Sequence, residues 1–449
     1  MRAAIRGCVA LVLLVSSMLI AAPVCGQQFP QPKEPSRPYR SLFGNDDVRT
    51  PSLHAVDLTL SVDGGIDNGY YGSSATPADG TAQQAAQYEQ VYAGGAELAY
   101  ARRGRQVVAN LLGTTSLPYY SLFPDEPKRL AYGASGNLSV LSARNSAAFV
   151  GSFLHSPYYV SVLDPSAGPG VGNGYYGRAS ALNPNNISNA GTALTRKLGR
   201  RTAMVGGYTF DRTYFTEEVR WNQSQRAFAS IDRRLSRRTT VTGGYAYRAT
   251  DYTTNDSLSS SSSHDLDMRF TYTREAPQGK STSLRAGLGS SFVDEFGRQY
   301  HGWRWLVDFD HAVSTQWILG ANYGRDLRYL GYVQQPIWSD EAAVTAAGFV
   351  NSRVKLAFGV NYSNGRTVSN AGVQFDTYWA TTRLQLAVTQ WAAVTADYIY
   401  YRYDYPPGIG LPAGMPHQLD RQRVQFGARF WVPLARAGRS GAARTPDNP

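Results

Sequence analysis

The stretch "VKLAFGVNY", residues 354–362, alternates without a break. Val354, Leu356, Phe358, Val360 and Tyr362 share one parity, and Lys355, Ala357, Gly359 and Asn361 share the other. A helix would scatter the apolar set around its circumference, whereas an extended strand sorts the two sets onto opposite faces. "RVQFGARFWV" (423–432) sets Val424, Phe426, Ala428, Phe430 and Val432 against Arg423, Gln425, Gly427, Arg429 and Trp431. "DLDMRFTY" (265–272) and "RWLVDFDH" (304–311) follow the same rule. The chain is therefore read as strands with one greasy and one wet face.

Repetition adds the connection. "RRTAMVGGYTF" from Arg200 is nearly repeated as "RRTTVTGGYAY" from Arg237, and "TALTRKLGRR" precedes the first as "ASIDRRLSRR" precedes the second. The repeated unit is a strand, a tight basic turn and a second strand. Met204, Tyr208, Phe210, Val241, Tyr245 and Tyr247 are expected to face outward from these hairpins. Short turns recur at 101–105, 142–146, 198–201, 235–238, 275–280, 312–315, 350–353 and 389–392. Longer Gly/Ser/Asn/Pro-rich stretches at 64–90, 113–128, 157–185, 253–263 and 404–420 are read as loops between them. Nine such pairs predict about 18 strands; 16 is the alternative, because the segments near 104–115 and 340–350 alternate poorly.

Composition fits a barrel in a membrane. The 449 residues include 30 Tyr and 44 Gly, and only 17% are charged. The mean hydropathy of -0.34 looks water-soluble, yet a transmembrane β-barrel exposes only alternate residues to lipid. A propeller would repeat four strands in about 40–50 residues, and neither it nor a β-sandwich fits two-strand units with one apolar face. Aromatic residues near segment ends, Trp317, Trp391, Tyr400 and Tyr403, are expected in the interfacial girdle, where an amphipathic ring is at home.

Residues 1–26 read as a secretory signal peptide: Arg2 and Arg6, the run "CVALVLLVSSMLIAA", then small residues, with cleavage expected after Gly26. An uncleaved anchor or a lipoprotein through Cys25 are the rival readings. Both cysteines, Cys8 and Cys25, lie in this leader, so the mature chain would hold neither disulfides nor thiolate metal sites. The formal charge of +11 becomes +9 without Arg2 and Arg6, and its scatter argues against a nucleic-acid partner. Residues 27–52 read as a Pro-rich lead-in, 53–434 as the barrel and 435–449 as a basic tail.

Catalysis finds little support. His54, His155, His264, His301, His311 and His417 form no metal-ligand pair with a second His or Cys. "SSSSSHD" (259–265) contains Ser, His and Asp, but as a low-complexity stretch it is read as a flexible loop. No catalytic, metal or cofactor site is expected. The residues of interest are those pointing into the lumen: Arg269, Arg285, Arg304, Arg353, Lys355, Arg383, Arg423 and Arg429, with Asp265, Asp267, Asp308 and Asp310. Singly they would pair across strands; together they would set ion selectivity. The stretch 157–185 is expected to fold inward and narrow the pore.

The leader, the cysteine-free mature chain, the basic-turn hairpins with "GGY" and the closing "VQFGARFWVPL" resemble Gram-negative outer-membrane barrels. More narrowly they resemble porin-like families, some found with exopolysaccharide secretion systems. The resemblance covers about residues 53–434, and the basic tail departs from the usual aromatic terminus. It implies an outer-membrane channel for small polar solutes or saccharide. Lipid, lipopolysaccharide and envelope secretion proteins are the implied partners. A non-conducting docking barrel is the alternative, and an outer-membrane hydrolase is third.

Overall fold

The computed structural model describes residues 52–70, 87–104, 106–120, 130–156, 185–215, 220–254, 257–275, 281–314, 316–329, 335–369, 373–389, 391–406 and 417–439. The expected signal peptide, the stretch 157–184 and the tail beyond 439 lie outside them. The strands are β1 (Ser52–Tyr70), β2 (Gln87–Arg103), β3 (Val107–Tyr120), β4 (Ala131–Leu141), β5 (Asn145–Ser156) and β6 (Asn185–Lys197). Next come β7 (Thr202–Phe215), β8 (Arg220–Arg234), β9 (Thr239–Thr254), β10 (Ser257–Glu275), β11 (Ser281–Glu295) and β12 (Arg298–Ala312). The last six are β13 (Trp317–Tyr329), β14 (Pro336–Phe349), β15 (Val354–Thr367), β16 (Gln374–Ala387), β17 (Ala392–Asp404) and β18 (Gln418–Arg439). Each pairs antiparallel with its neighbours, and β1 also pairs with β18. The 18-stranded sheet is closed.

Alternation converts directly into an inside-out protein. Leu288 (70% exposed), Met268 (65%), Val62 (63%) and Phe426 (60%) stand on the outer face. The inner parity carries Asp265, Asp63, Arg423 and Gln425, all buried. In water so much exposed apolar surface would be unstable, at about 25 cal/mol for each Å²; against hydrocarbon it is the stable arrangement. Met204, Tyr208, Tyr245 and Tyr247 are exposed as the hairpin reading requires. In the first "GGY" an inner glycine is needed for space, since a Cβ on Gly207 would lie 2.5 Å from the Phe228 ring.

The basic turns share one geometry. The Leu198 N–H donates to the Thr202 carbonyl, and the Leu235 N–H donates to that of Thr239. Val350 to Val354 and Val388 to Ala392 repeat the bond. On the opposite rim the expectation of uniformly long loops fails. The stretches 64–90, 113–128 and 253–263 are largely strand where they are described, since β1 runs to Tyr70, β3 to Tyr120 and β10 starts at Ser257. Serine can extend as well as turn, and here Ser261 and Ser263 pair with Glu295 and Val293. The β11–β12 connection is only Phe296 and Gly297, both at positive φ, as a two-residue hairpin turn requires. The last strand likewise passes the expected boundary at 434 and ends at Arg439.

The barrel closes where β1 meets β18, in register from Ser52↔Arg439 to Asp67↔Arg423, with a bulge between Val56 and Asp57. On the inner side the Arg421 Nε donates to Asp67 Oδ1 at 2.9 Å. Gly427 leaves room for Asp63, whose carboxylate would collide with a Cβ there.

Leu288→Arg should destabilise the barrel by roughly 2–4 kcal/mol, as a cation near mid-bilayer does, measured by urea unfolding in liposomes. Asn189→Arg, on the inner parity, should change stability by less than about 1 kcal/mol.

Candidate functional site: a pore constriction

Charges on the inner wall are organised into clusters. Arg304 of β12 lies 3.5 Å from Asp265, 3.1 Å from Asp267 and 2.6 Å from Asp326. Gly289 makes this possible, because a Cβ there would come within 2.5 Å of Asp267 Oδ1. Arg285 contacts Asp308 at 2.8 Å, and Arg383 donates to Asp397 at 2.7 Å. Ser291 Oγ donates to the inward Asp265 at 2.6 Å. Buried ions survive only when paired in this way.

One part of the wall leaves the cylinder. The β12–β13 ladder stops at Trp305↔Arg325, although β12 stays paired with β11 up to Arg298 and β13 stays paired with β14 up to Tyr329. Above that point the β13–β14 end leans into the lumen. Leu327 and Trp338 pack with Val293 of β11, and Tyr300 and Tyr329 join them. The Trp338 ring lies against Gly302, where any Cβ would collide with it. From β9, Arg248 stacks 5.0 Å from the Tyr329 ring and donates to the Leu327 carbonyl at 3.4 Å. β9 and β13 are separated in the sheet by β10, β11 and β12, so this contact spans the interior.

The other side of the leaning end meets a second apolar surface. Ile337 belongs to a cluster with Phe375 and Trp379 of β16, Tyr401 and Tyr403 of β17, Tyr405, Leu419 of β18 and Phe215 of β7. Phe215 approaches from across the barrel, so the end of the lumen away from the basic turns is bridged by packed side chains. By contrast, the inner parity of β3–β6 is uncharged up to Lys197 at the turn end of β6, and only half-buried at Thr114, Ser135, Asn137, Ser152 and Asn189. There the Asn110 amide donates to Asn137 at 2.8 Å.

Of the residues expected in the lumen, Asp265, Asp267, Arg269, Arg285, Arg304, Asp308, Asp310, Lys355, Arg383, Arg423 and Arg429 fall on the inner parity of their strands. Arg353 does not: it is exposed in the turn before Val354, so it belongs to the rim. Among the expected girdle residues, Trp391 is a correction: it continues the inner parity of β17 and stacks at 5.1 Å between centroids on Trp431 of the inner parity of β18, so it belongs to the mouth of the lumen. Trp317 begins β13 beside Gly348, and Tyr400 donates to Asp420 at 3.4 Å on the outer side. Tyr403 is a correction. It is 1% exposed and turned inward, because the run "YIYYRYDY" is aromatic in both parities. Sequence reasoning does not find Arg248, Asp326, Leu327, Trp338, Asp63, Asp67 or Arg421. A usable signal is present: "PIWS" is apolar in both phases and is buried on both sides, and in "YIYYRYDY" the inward phase is as aromatic as a lipid-facing one while the outer phase ends on the exposed Arg402 and Asp404.

The Ser/His/Asp stretch is resolved by parity within β10. His264 points outward and shares a hydrogen bond with the Tyr245 hydroxyl at 2.7 Å, while Asp265 is buried inside. Ser261 and Ser263 share the inner face with Asp265, so they and the His264 ring lie on opposite sides of the wall.

The chain is thus an all-β, closed antiparallel barrel with an apolar outer face and a polar inner wall, the architecture of a transmembrane β-barrel. No family model matches it, and no curated protein matches it either. Among solved structures it is similar to Pseudomonas aeruginosa OpdL, at 13% identity over 85% of this chain and 99% of that one, with a TM-score of 0.41. A BenF-like porin from Pseudomonas fluorescens Pf-5 matches at 11% identity over 87% of this chain and 100% of that one, TM-score 0.43. Acinetobacter baumannii OccAB3 gives 10% identity, 84% and 99% coverage, and a TM-score of 0.43.

Trp338→Ala should free the leaning end from β11–β12 and raise single-channel conductance in planar bilayers. Gly302→Ala should reach the same result from the other partner by displacing the ring, with a stability loss of about 1–3 kcal/mol from overpacking.

Proposed function

We propose that this protein is a Gram-negative outer-membrane channel for passive passage of small polar solutes, saccharides among them, with the β13–β14 end as its narrowest part. One observation carries the reading: the half-buried inner wall of β3–β6 offers hydroxyl and amide groups, while the inward Arg285, Arg304 and Arg383 are held by carboxylates of neighbouring strands. Neutral donors and acceptors suit hydroxyl-rich solutes, and water can occupy the same groups between passages. Service in exopolysaccharide secretion belongs to this proposal as one use of such a path. Signal-peptide cleavage after Gly26 and contact with lipopolysaccharide belong to it too.

The formal positive charge is not concentrated on the inner wall. Asp57, Asp63, Asp67, Asp326 and Asp397 offset the inward arginines, and the turns carry the surplus: Arg144, Arg200, Arg201, Arg237, Arg238 and Arg353 are exposed at one rim. A slight anion preference would therefore arise at that mouth. Proteoliposomes should swell in isotonic maltose, and a salt gradient should give a reversal potential of anion-preferring sign. Replacing Arg200, Arg201, Arg237 and Arg238 by Gln should bring that potential close to zero; cation preference in the unaltered protein would reject the charge assignment.

The second reading, a non-conducting docking barrel, draws on the packed cluster from Phe215 to Tyr403. Silence in planar bilayers, with Trp338→Ala equally silent, would favour it.

A further inference from the structure

We propose that the interrupted β12–β13 seam is a lateral binding site, open to the outer leaflet, for small uncharged lipophiles carrying a hydroxyl or N–H. Neighbouring ladders run nearly the full strand length. Here β12 from Arg298 to Arg304 has no ladder partner on its β13 side among the described residues. The β13–β14 end leans inward rather than outward, so above the Arg304–Asp326 pair the β12 edge has no strand beside it on the outer side. Trp305 lies seven residues along β12 from its rim end at Ala312. At about 3.4 Å per residue and a tilt near 40°, that is roughly 18 Å up a band about 25 Å tall. The lower edge of the gap therefore faces hydrocarbon.

The chemistry of the lips selects the occupant. Trp303 is 65% exposed on the outer parity, and Trp305 lies below it under the Arg325 guanidinium, 4.5 Å from the ring centroid. Arg325 is already neutralised by Asp340, to which its Nε donates at 2.7 Å. Behind the gap Trp338 and Leu327 form an apolar stop against Val293. Next to the ladder's end the lips thus present indole faces and paired charges, and the exposed Arg298 stands at the far end of the edge. A strand edge in hydrocarbon needs hydrogen-bond partners, and an occupant with one hydroxyl or N–H on a flat apolar body supplies them. Charged amphiphiles meet nothing complementary next to the ladder's end.

The site and the axial pore can be tested separately in one preparation. N-phenyl-1-naphthylamine, uncharged and bearing a single N–H, is titrated into proteoliposomes. The readout is tryptophan-to-probe energy transfer above the linear background of probe dissolved in lipid. Saturable transfer is expected, weakened roughly tenfold by Trp303→Ala. Continuing the ladder's register would set His301 opposite Tyr329, so His301→Cys with Tyr329→Cys should seal the seam on oxidation and abolish saturable binding, with recovery on reduction. Heat-dependent migration in detergent gels verifies that each variant is folded. Binding that survives oxidation, or that ignores Trp303→Ala where the disulfide does not form, overturns the proposal. So does the absence of saturable transfer. Ion conductance of the same variants reports on the axial channel alone, so a silent pore with intact probe binding would sink that reading and leave this one standing.

Discussion

Closure of β1 onto β18 is the constraint on which the remainder depends. Inside a bilayer no backbone group can be satisfied by water, so a sheet without edges is one of only two admissible solutions. Complementary inner side chains mark the meeting line. Asp67 finds Arg421 across a separation of 354 residues, and Asp63 lies opposite the small Gly427. A larger residue at 427 would press on a buried carboxylate at the position where the ladder must zip. The bulge at Val56/Asp57 absorbs the mismatch near the start of the seam.

Once the wall is closed, the interior divides by function. Around Arg304 three carboxylates converge, and Gly289 and Gly302 make space for the groups that reach over them. Around Tyr401 and Tyr403 the wall is aromatic and buried. Between Thr114 and Asn189 it is neutral and less covered. The leaning β13–β14 end touches the first two regions at once through its two faces. A displacement of that element would therefore trade contacts on both sides, which favours discrete positions over gradual deformation.

What is legible in the sequence follows from period two. Wherever one parity is apolar and the other polar, as in 354–362 or 423–432, the strand and its lipid face can be read, and so can the sum of 18. Parity misleads where the inner face is as apolar as the outer one. Tyr403 reads as a girdle residue because tyrosine at a strand end usually sits there, but its neighbours Tyr401 and Tyr405 share its inward parity and fill the lumen with it. Arg353 reads as part of the wall, although the turn still holds it and the strand starts one residue later. Serine-rich 257–263 resembles a loop because local composition carries no record of the partner strand. The inward lean of the β13–β14 end goes with contacts of Leu327, Tyr329 and Trp338 with Arg248 and Val293, which are distant in the chain and leave no local pattern.

The matched arginine turns have a consequence for how the barrel remains in place. Arg200, Arg201, Arg237 and Arg238 sit at the tips of adjacent hairpins. Dragging one such cation through the hydrocarbon centre costs about 2.5–3.5 kcal/mol on insertion scales, and a hairpin would have to carry two. Insertion led by the opposite rim avoids that barrier, whereas inversion or withdrawal in that direction must cross it repeatedly. The turns thus act as a one-way fastening, giving the assembled protein a memory of the side from which it arrived.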